Sequence, residues 1–169
     1  MPEIRNKNDI VIVKGEELVS ILAERNKYNL FGANLFRASL SGANLSGAKL
    51  FGASLFGVKN IPAIAIAKTT IVPEGDLRVW KKCRSGVIVH LAIPAAAKRS
   101  NASDRKCRAE FADVLDVIGA DVGVSLHDGV TAYRKGERVT CDSWDDDRWQ
   151  ECGGGIHFYL TRLEAEEHQ

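Results

Sequence analysis

Residues Tyr28 to Gly57 read YNLFG ANLFR ASLSG ANLSG AKLFG ASLFG, six pentapeptides in one unbroken register. Leu30, Leu35, Leu40, Leu45, Leu50 and Leu55 recur at every fifth position, with Ala33, Ala38, Ala43, Ala48 and Ala53 each two residues before a leucine. A helix turns about 100° per residue and would scatter these leucines around its circumference, whereas a strand would send them to alternating faces. A period of five instead requires a chain that turns a corner every five residues. Each Leu then points to a central axis, and each Ala lies where only a small side chain fits. Gly32, Gly42, Gly47, Gly52 and Gly57 stand where the corners bend.

This register resembles the pentapeptide-repeat family, whose members wind a right-handed four-sided β-helix with four pentapeptides to a turn. The resemblance covers Tyr28 to about Asn60 and implies about one and a half turns, a stack under about 10 Å thick at the ~4.8 Å spacing of strands. So short a stack needs both ends covered. The N-terminal segment is expected to cap one end and the C-terminal region the other. Phe31, Phe36, Phe51 and Phe56 follow the centre residues and point outward in such a helix, forming an apolar face for a second domain or another subunit. Open strand edges make a homo-oligomer the expectation. Pentapeptide proteins that protect topoisomerases imitate DNA with a long acidic rod, but Tyr28 to Gly57 contains no acidic residue. Neither DNA mimicry nor duplex DNA as a partner is expected.

Outward from the repeat, Asp9 to Val13 reads as a strand and Glu16 to Arg25 as a helix with Leu18, Val19, Ile21 and Leu22 on one side. The division is a strand-helix cap over 1–27, the β-helix over 28–60, a linker over 61–75 closed by Pro73, Glu74 and Gly75, and a small α+β domain over 76–169. In that domain Leu77 to Cys83 and Val87 to Ile93 form a hairpin across Ser85 and Gly86. Cys107 to Ile118 reads as strand or helix, with strand preferred, His127 to Gly129 as a turn, and Ala132 to Val139 as holding a short strand. Ile156 to Leu160 is a strand leading into an acidic helix at Leu163 to His168. The fold class is α+β.

With 169 residues, 45% hydrophobic and 27% charged, the chain can hold its own core and is neither a disordered tail nor a coiled coil. No apolar run is long enough to span a membrane and no secretion signal is read, so a cytoplasmic location without a membrane partner is expected. Cys83, Cys107, Cys141 and Cys152 lack Cys-x-x-Cys spacing; reduced thiols and no metal or other cofactor are expected. Charge is uneven. It is zero over 1–28, +3 over 29–75, +4 over 76–138 and −6 over 139–169.

The segments RVWKK, IPAAAKRSNASDRKCRAEFADVL, YRKGERV and ECGGGIHFYLTRLEA together resemble an uncharacterised domain of phage and prophage proteins, often joined to pentapeptide repeats. The resemblance implies a viral origin, hence the host cytoplasm, and no particular activity. The stretch from Lys98 to Arg108 carries five cations, Lys98, Arg99, Arg105, Lys106 and Arg108, with Ser100 among them. Arg forks and hydroxyls in one loop suit phosphate oxygens; the alternative is a solvated loop whose cations pair with Asp142 to Glu151. The P-loop pattern is absent. Strand alternation puts His157, Tyr159 and Thr161 on one face beside a glycine-rich turn, and both His157 and Tyr159 are candidate ligand contacts. Gly155 to Phe158 is similar to the glycine, aliphatic, aromatic, Phe run of poly-ADP-ribose-polymerase-type transferases, without an upstream His-Gly-Ser/Thr partner or an identifiable catalytic Glu. Cys152 and His157 lack a third group to orient them, so no catalytic residue is assigned. The expected function is non-enzymatic binding in counter-defence, of a phosphorylated nucleotide signal or of a host defence protein. The alternatives are an assembly module working through the repeat and an ADP-ribosyltransferase-like enzyme working through the GIHFY strand.

Overall fold

In the computed structural model the described residues are 3–5, 11–14, 30, 32–35, 49–58, 61 and 63–168, mostly sheet with few helices. The expected helix Glu16 to Arg25, and Phe31 and Phe36, lie outside them. The chain forms two compact units. The first is Met1–Ile71 with Asn101–Asp104 and Asp147–Glu151; the second is Val72–Ser100, Arg105–Asp146 and Cys152–Gln169.

In the first unit β1 (Glu3–Arg5) pairs antiparallel with β2 (Val11–Lys14). The repeat leucines do what their register requires: Leu30, Leu35, Leu50 and Leu55 are buried with Ala33 and Ala53, while Asn34 and Ser54 between them face outward. Asn34 bridges Ser54 in parallel, an offset of 20 residues or four pentapeptides. Leu30 N–H donates to the Lys49 carbonyl at 3.0 Å, Gly32 to Phe51 at 3.1 Å and Leu35 to Ser54 at 2.9 Å, so the segment 30–35 runs beside 49–54. The corner closes by an Ala33 N–H bond to the Leu30 carbonyl, with Gly32 at φ 63°; Ala53, Leu50 and Gly52 at φ 68° repeat it. A turn with positive φ at its third residue selects glycine there.

The segment 49–58 meets residues from far along the chain. Gly52 N–H donates to the Ser103 carbonyl at 3.1 Å, as Gly32 does to Phe51, and the Ser103 hydroxyl donates to the Ala53 carbonyl. Asn101 to Asp104 thus lies beside Gly52 and Ala53 and belongs to the same unit as the repeat. The interval 61–75, expected as a linker, contains α1 (Ala63–Thr69), whose Ala65 joins the leucine core. Asn101, 2% exposed, donates to the Thr69 carbonyl at 2.6 Å and accepts from Ile71 N–H at 3.1 Å. Arg148 donates to the carbonyls of Asn101 and Ala102 and to the Thr70 hydroxyl. Its neighbour Trp149 packs against the leucine core.

The second unit is built on an antiparallel sheet of β3 (Leu77–Lys82), β4 (Ile88–Ile93), β7 (Phe111–Ile118) and β10 (Arg138–Thr140), in the order β10-β7-β4-β3. The expected hairpin is β3 and β4, with Leu77 opposite Ile93 and Lys82 opposite Ile88. Its turn takes Ser85 and Gly86 through φ 57° and 75°. Val79, Leu91, Ile93 and Ala112 are buried completely. The expected strand Cys107 to Ile118 is divided into β6 (Cys107–Ala109) and β7. A second sheet runs β11 (Ile156–Phe158), β6, β5 (Arg99–Asn101), and β8 (Val122–Val124) pairs with β9 (Ala132–Arg134). Tyr159 and Trp80 exchange backbone hydrogen bonds at 2.7 and 2.8 Å, which lays the end of β11 beside β3. Helix α2 (Arg162–Glu166) starts with a capping box between Thr161 and Glu164. No helix among the described residues is long and apolar enough to cross a membrane.

Candidate functional site

Along β3 the side chains alternate: Leu77 and Val79 are buried, Arg78 is exposed, and Lys81 falls on the buried side with 8% exposure. Its ammonium donates to the His157 carbonyl at 3.1 Å and stands 5.5 Å from the centre of the Tyr133 ring. Burial pushes its pKa below the ordinary lysine value, against the attraction of Cys83 and Asp128. A lysine at a core position is a local rule broken, and such breaks concentrate where a protein does its work.

Lys81 lies in the wall of two clefts in the second unit. One, of about 370 Å³, is lined by Lys81, Lys82, Lys106, Leu126, His127, His157, Tyr159 and His168. Among the described residues lining it, none carries a carboxylate. Lys82 donates to the carbonyls of Glu166 and His168, and the Tyr159 hydroxyl is 3.0 Å from His168 Nδ1. The other cleft, of about 360 Å³, shares Lys81, His127 and His157 and adds Ser125, Asp128, Thr131, Thr140, Asp142, Ser143 and the glycines 153–155. The glycine run is needed for packing: a Cβ at Gly154 would meet the Ser143 carbonyl oxygen at 2.5 Å.

Of the residues singled out in the sequence, Lys106, His157 and Tyr159 line the cationic cleft. Lys98, Arg99, Ser100, Arg105 and Arg108 line neither cleft. Lys98 lies 3.5 Å from Asp146, and Arg105 pairs with Glu164 at 2.5 Å. Burial opposes ionisation of Glu164, but hydrogen bonds from Arg105 and Thr161 outweigh it and hold the carboxyl below its usual range. Arg108, 2% exposed, donates to the carbonyls of Asp145 and Gly154 and stacks 4.7 Å from Trp144. Arg99 Nη1 and Ser100 Oγ are buried without a hydrogen-bond partner among the described residues. Of the phenylalanines, Phe51 is 45% exposed and Phe56 half-buried. Lys81, Lys82, His127 and His168 were not anticipated; the alternation of Lys81 with Leu77 and Val79 was the one legible signal.

The thiols are poor nucleophiles where burial acts on them. It pushes Cys83 up to about 11 and Cys107 up to about 12, and raises Cys141. Among the described residues no group of three His, Cys, Asp or Glu side chains is placed to hold a metal ion.

A family model described as a family of unknown function, DUF5758, matches residues 67–165, more than half of the chain. The chain belongs to this family. The DUF5758 region includes the described lining residues of both clefts except His168, and also the segments 101–104 and 147–151 that build the first unit. A pentapeptide-repeat model of eight copies matches residues 29–58. No curated protein and no solved structure matches the chain.

Two histidines make the fold sensitive to acid. Burial, then the ammoniums of Lys106, Lys81 and Lys82, push His168 below the ordinary imidazole value of 6.5; burial and Arg78 do the same to His90. Between those lowered values and 6.5 the folded chain binds fewer protons than the unfolded one, so stability falls as pH falls through that window. The thermal midpoint should drop on going from about pH 7 to about pH 5, and His168→Gln should lessen the drop. A midpoint flat across that range would contradict this.

Proposed function

We propose that the second unit is a non-enzymatic binding module that captures a phosphorylated nucleotide in the cleft of Lys81, Lys82, Lys106 and His168. The observation that carries the reading is the core-facing ammonium of Lys81 beside two further lysines, with no carboxylate among the described lining residues. Gathering several cations around one cleft is costly, and a bound anion lowers that cost. A phosphate offers the acceptors that ammonium and imidazole donors need.

On the resemblance to phage and prophage proteins, the setting we propose is counter-defence in a host cytoplasm, by withholding a nucleotide signal or by occupying a defence protein. The repeat, wound as a right-handed four-sided helix, serves as its mount. The exposure of Phe51 favours a second reading, association of copies through the repeat.

The test is to incubate the full chain with linear and cyclic nucleotides and ADP-ribose-type compounds, then measure the melting temperature and the mass of the ligand recovered. Binding to the native state alone adds about 2.7 kcal/mol at a ligand concentration of roughly 100 times Kd. The expected result is a raised midpoint with the ligand returned unchanged. An altered ligand would make the protein an enzyme working through the His157 strand, and no response across the panel would overturn the nucleotide reading in favour of a protein partner.

A further inference from the structure

The two clefts have opposite chemistry around a common wall. The first is lined by Lys82, Lys106 and His168; the second is lined by Ser125, Thr131, Thr140 and Ser143 together with Asp128 and Asp142. The rings of His127 and His157 in the shared wall stand 6.5 Å apart at 70°. We propose that the site takes a ribosyl phosphate, with the phosphate on the lysine side of this wall and the ribose diol on the other side, at Asp142 and Ser143. The inference rests on the phosphate reading above and adds the sugar to it.

The two carboxylates of the second cleft differ in availability. Asp128 is used by its own turn: it accepts from the N–H groups of Val130 and Thr131 at 2.9 and 3.0 Å and from the Thr131 hydroxyl. Asp142 is exposed at the edge of the cleft. A carboxylate accepts hydrogen bonds from two neighbouring hydroxyls and repels a phosphate. It therefore sorts a ligand end for end, and a second phosphate would be disfavoured where a diol is favoured. The segment that carries Asp142 and Ser143 is held in place. Gly154 packs so closely under Ser143 that no side chain fits between them, and Trp144 next along is stacked by the buried Arg108. These contacts belong to the fold, so the diol partner is positioned before any ligand arrives.

The experiment is calorimetric titration of the full chain with AMP, 2′-deoxy-AMP, adenosine and inorganic phosphate. AMP should bind at least about 10-fold more tightly than phosphate or adenosine alone, and the deoxynucleotide about 10-fold more weakly than AMP. Asp142→Ala should erase the preference for AMP over its deoxy form and leave the affinity for inorganic phosphate unchanged. Equal binding of AMP and 2′-deoxy-AMP by the unsubstituted protein would overturn the ribose assignment while leaving the phosphate reading intact. Absence of binding by both AMP and phosphate would overturn both. The comparison of the two nucleotides needs no variant, so a folding defect in Asp142→Ala does not impair it.

Discussion

Arg108→Ala is expected to lower the thermal midpoint by roughly 10 °C. Arg108 sits on β6 with 2% exposure, and its Nη1 donates to Asp145 O at 2.5 Å and to Gly154 O at 2.9 Å. Truncation leaves both acceptors short of a charged donor and opens a void beside Trp144, for a combined cost of roughly 3 to 5 kcal/mol. Lysine is not an adequate replacement, because one ammonium lacks the planar fork and the flat face that stacks on the indole. Arg108→Lys should recover less than half of the loss. Circular dichroism through the melt is the check, and a shift under about 2 °C would show that this guanidinium does not brace the Trp144 segment.

Arg148→Ala is expected to loosen the first unit selectively. Its guanidinium joins Asn101 O at 2.9 Å, Ala102 O at 3.1 Å and the Thr70 hydroxyl at 2.8 Å, tying the segments 147–151 and 101–104 to the end of α1. Losing these bonds costs roughly 2 to 3 kcal/mol. Native-state hydrogen exchange at the Gly52 amide, which donates to Ser103, should accelerate on the order of 30-fold to 100-fold. Amides of β4 and β7 should keep their protection. Uniform acceleration of both sets would contradict the division of labour between the two units.

The repeat was legible because one side-chain register dictates it: Leu30, Leu35, Leu50 and Leu55 are buried as their spacing requires. The β3–β4 hairpin was legible because two alternating apolar runs flank Ser85 and Gly86, which do take positive φ. The basic loop misled for a definite reason. Closeness in sequence says nothing about direction, and the structure sends Arg105 to Glu164, turns Arg108 inward and assigns Asn101 to Asp104 to the repeat unit. The cationic cleft was hidden for the converse reason. Lys82, Lys106, His127 and His168 come from four separate stretches, which the pairing of Trp80 with Tyr159, of β11 with β6 and of Cys83 with Ser125 brings together. Lys81 alone left a local trace, as a lysine in step with Leu77 and Val79.

The proposed function stands or falls on a phosphorylated ligand in the lysine cleft. The most direct measurement is the calorimetric affinity for AMP of the unsubstituted chain against a Lys82→Met, Lys106→Met double variant whose fold has been verified by circular dichroism. Removing two charge-assisted contacts at roughly 1 kcal/mol or more apiece should weaken binding at least about 30-fold. Equal affinities for the two proteins would contradict the assignment of the cleft.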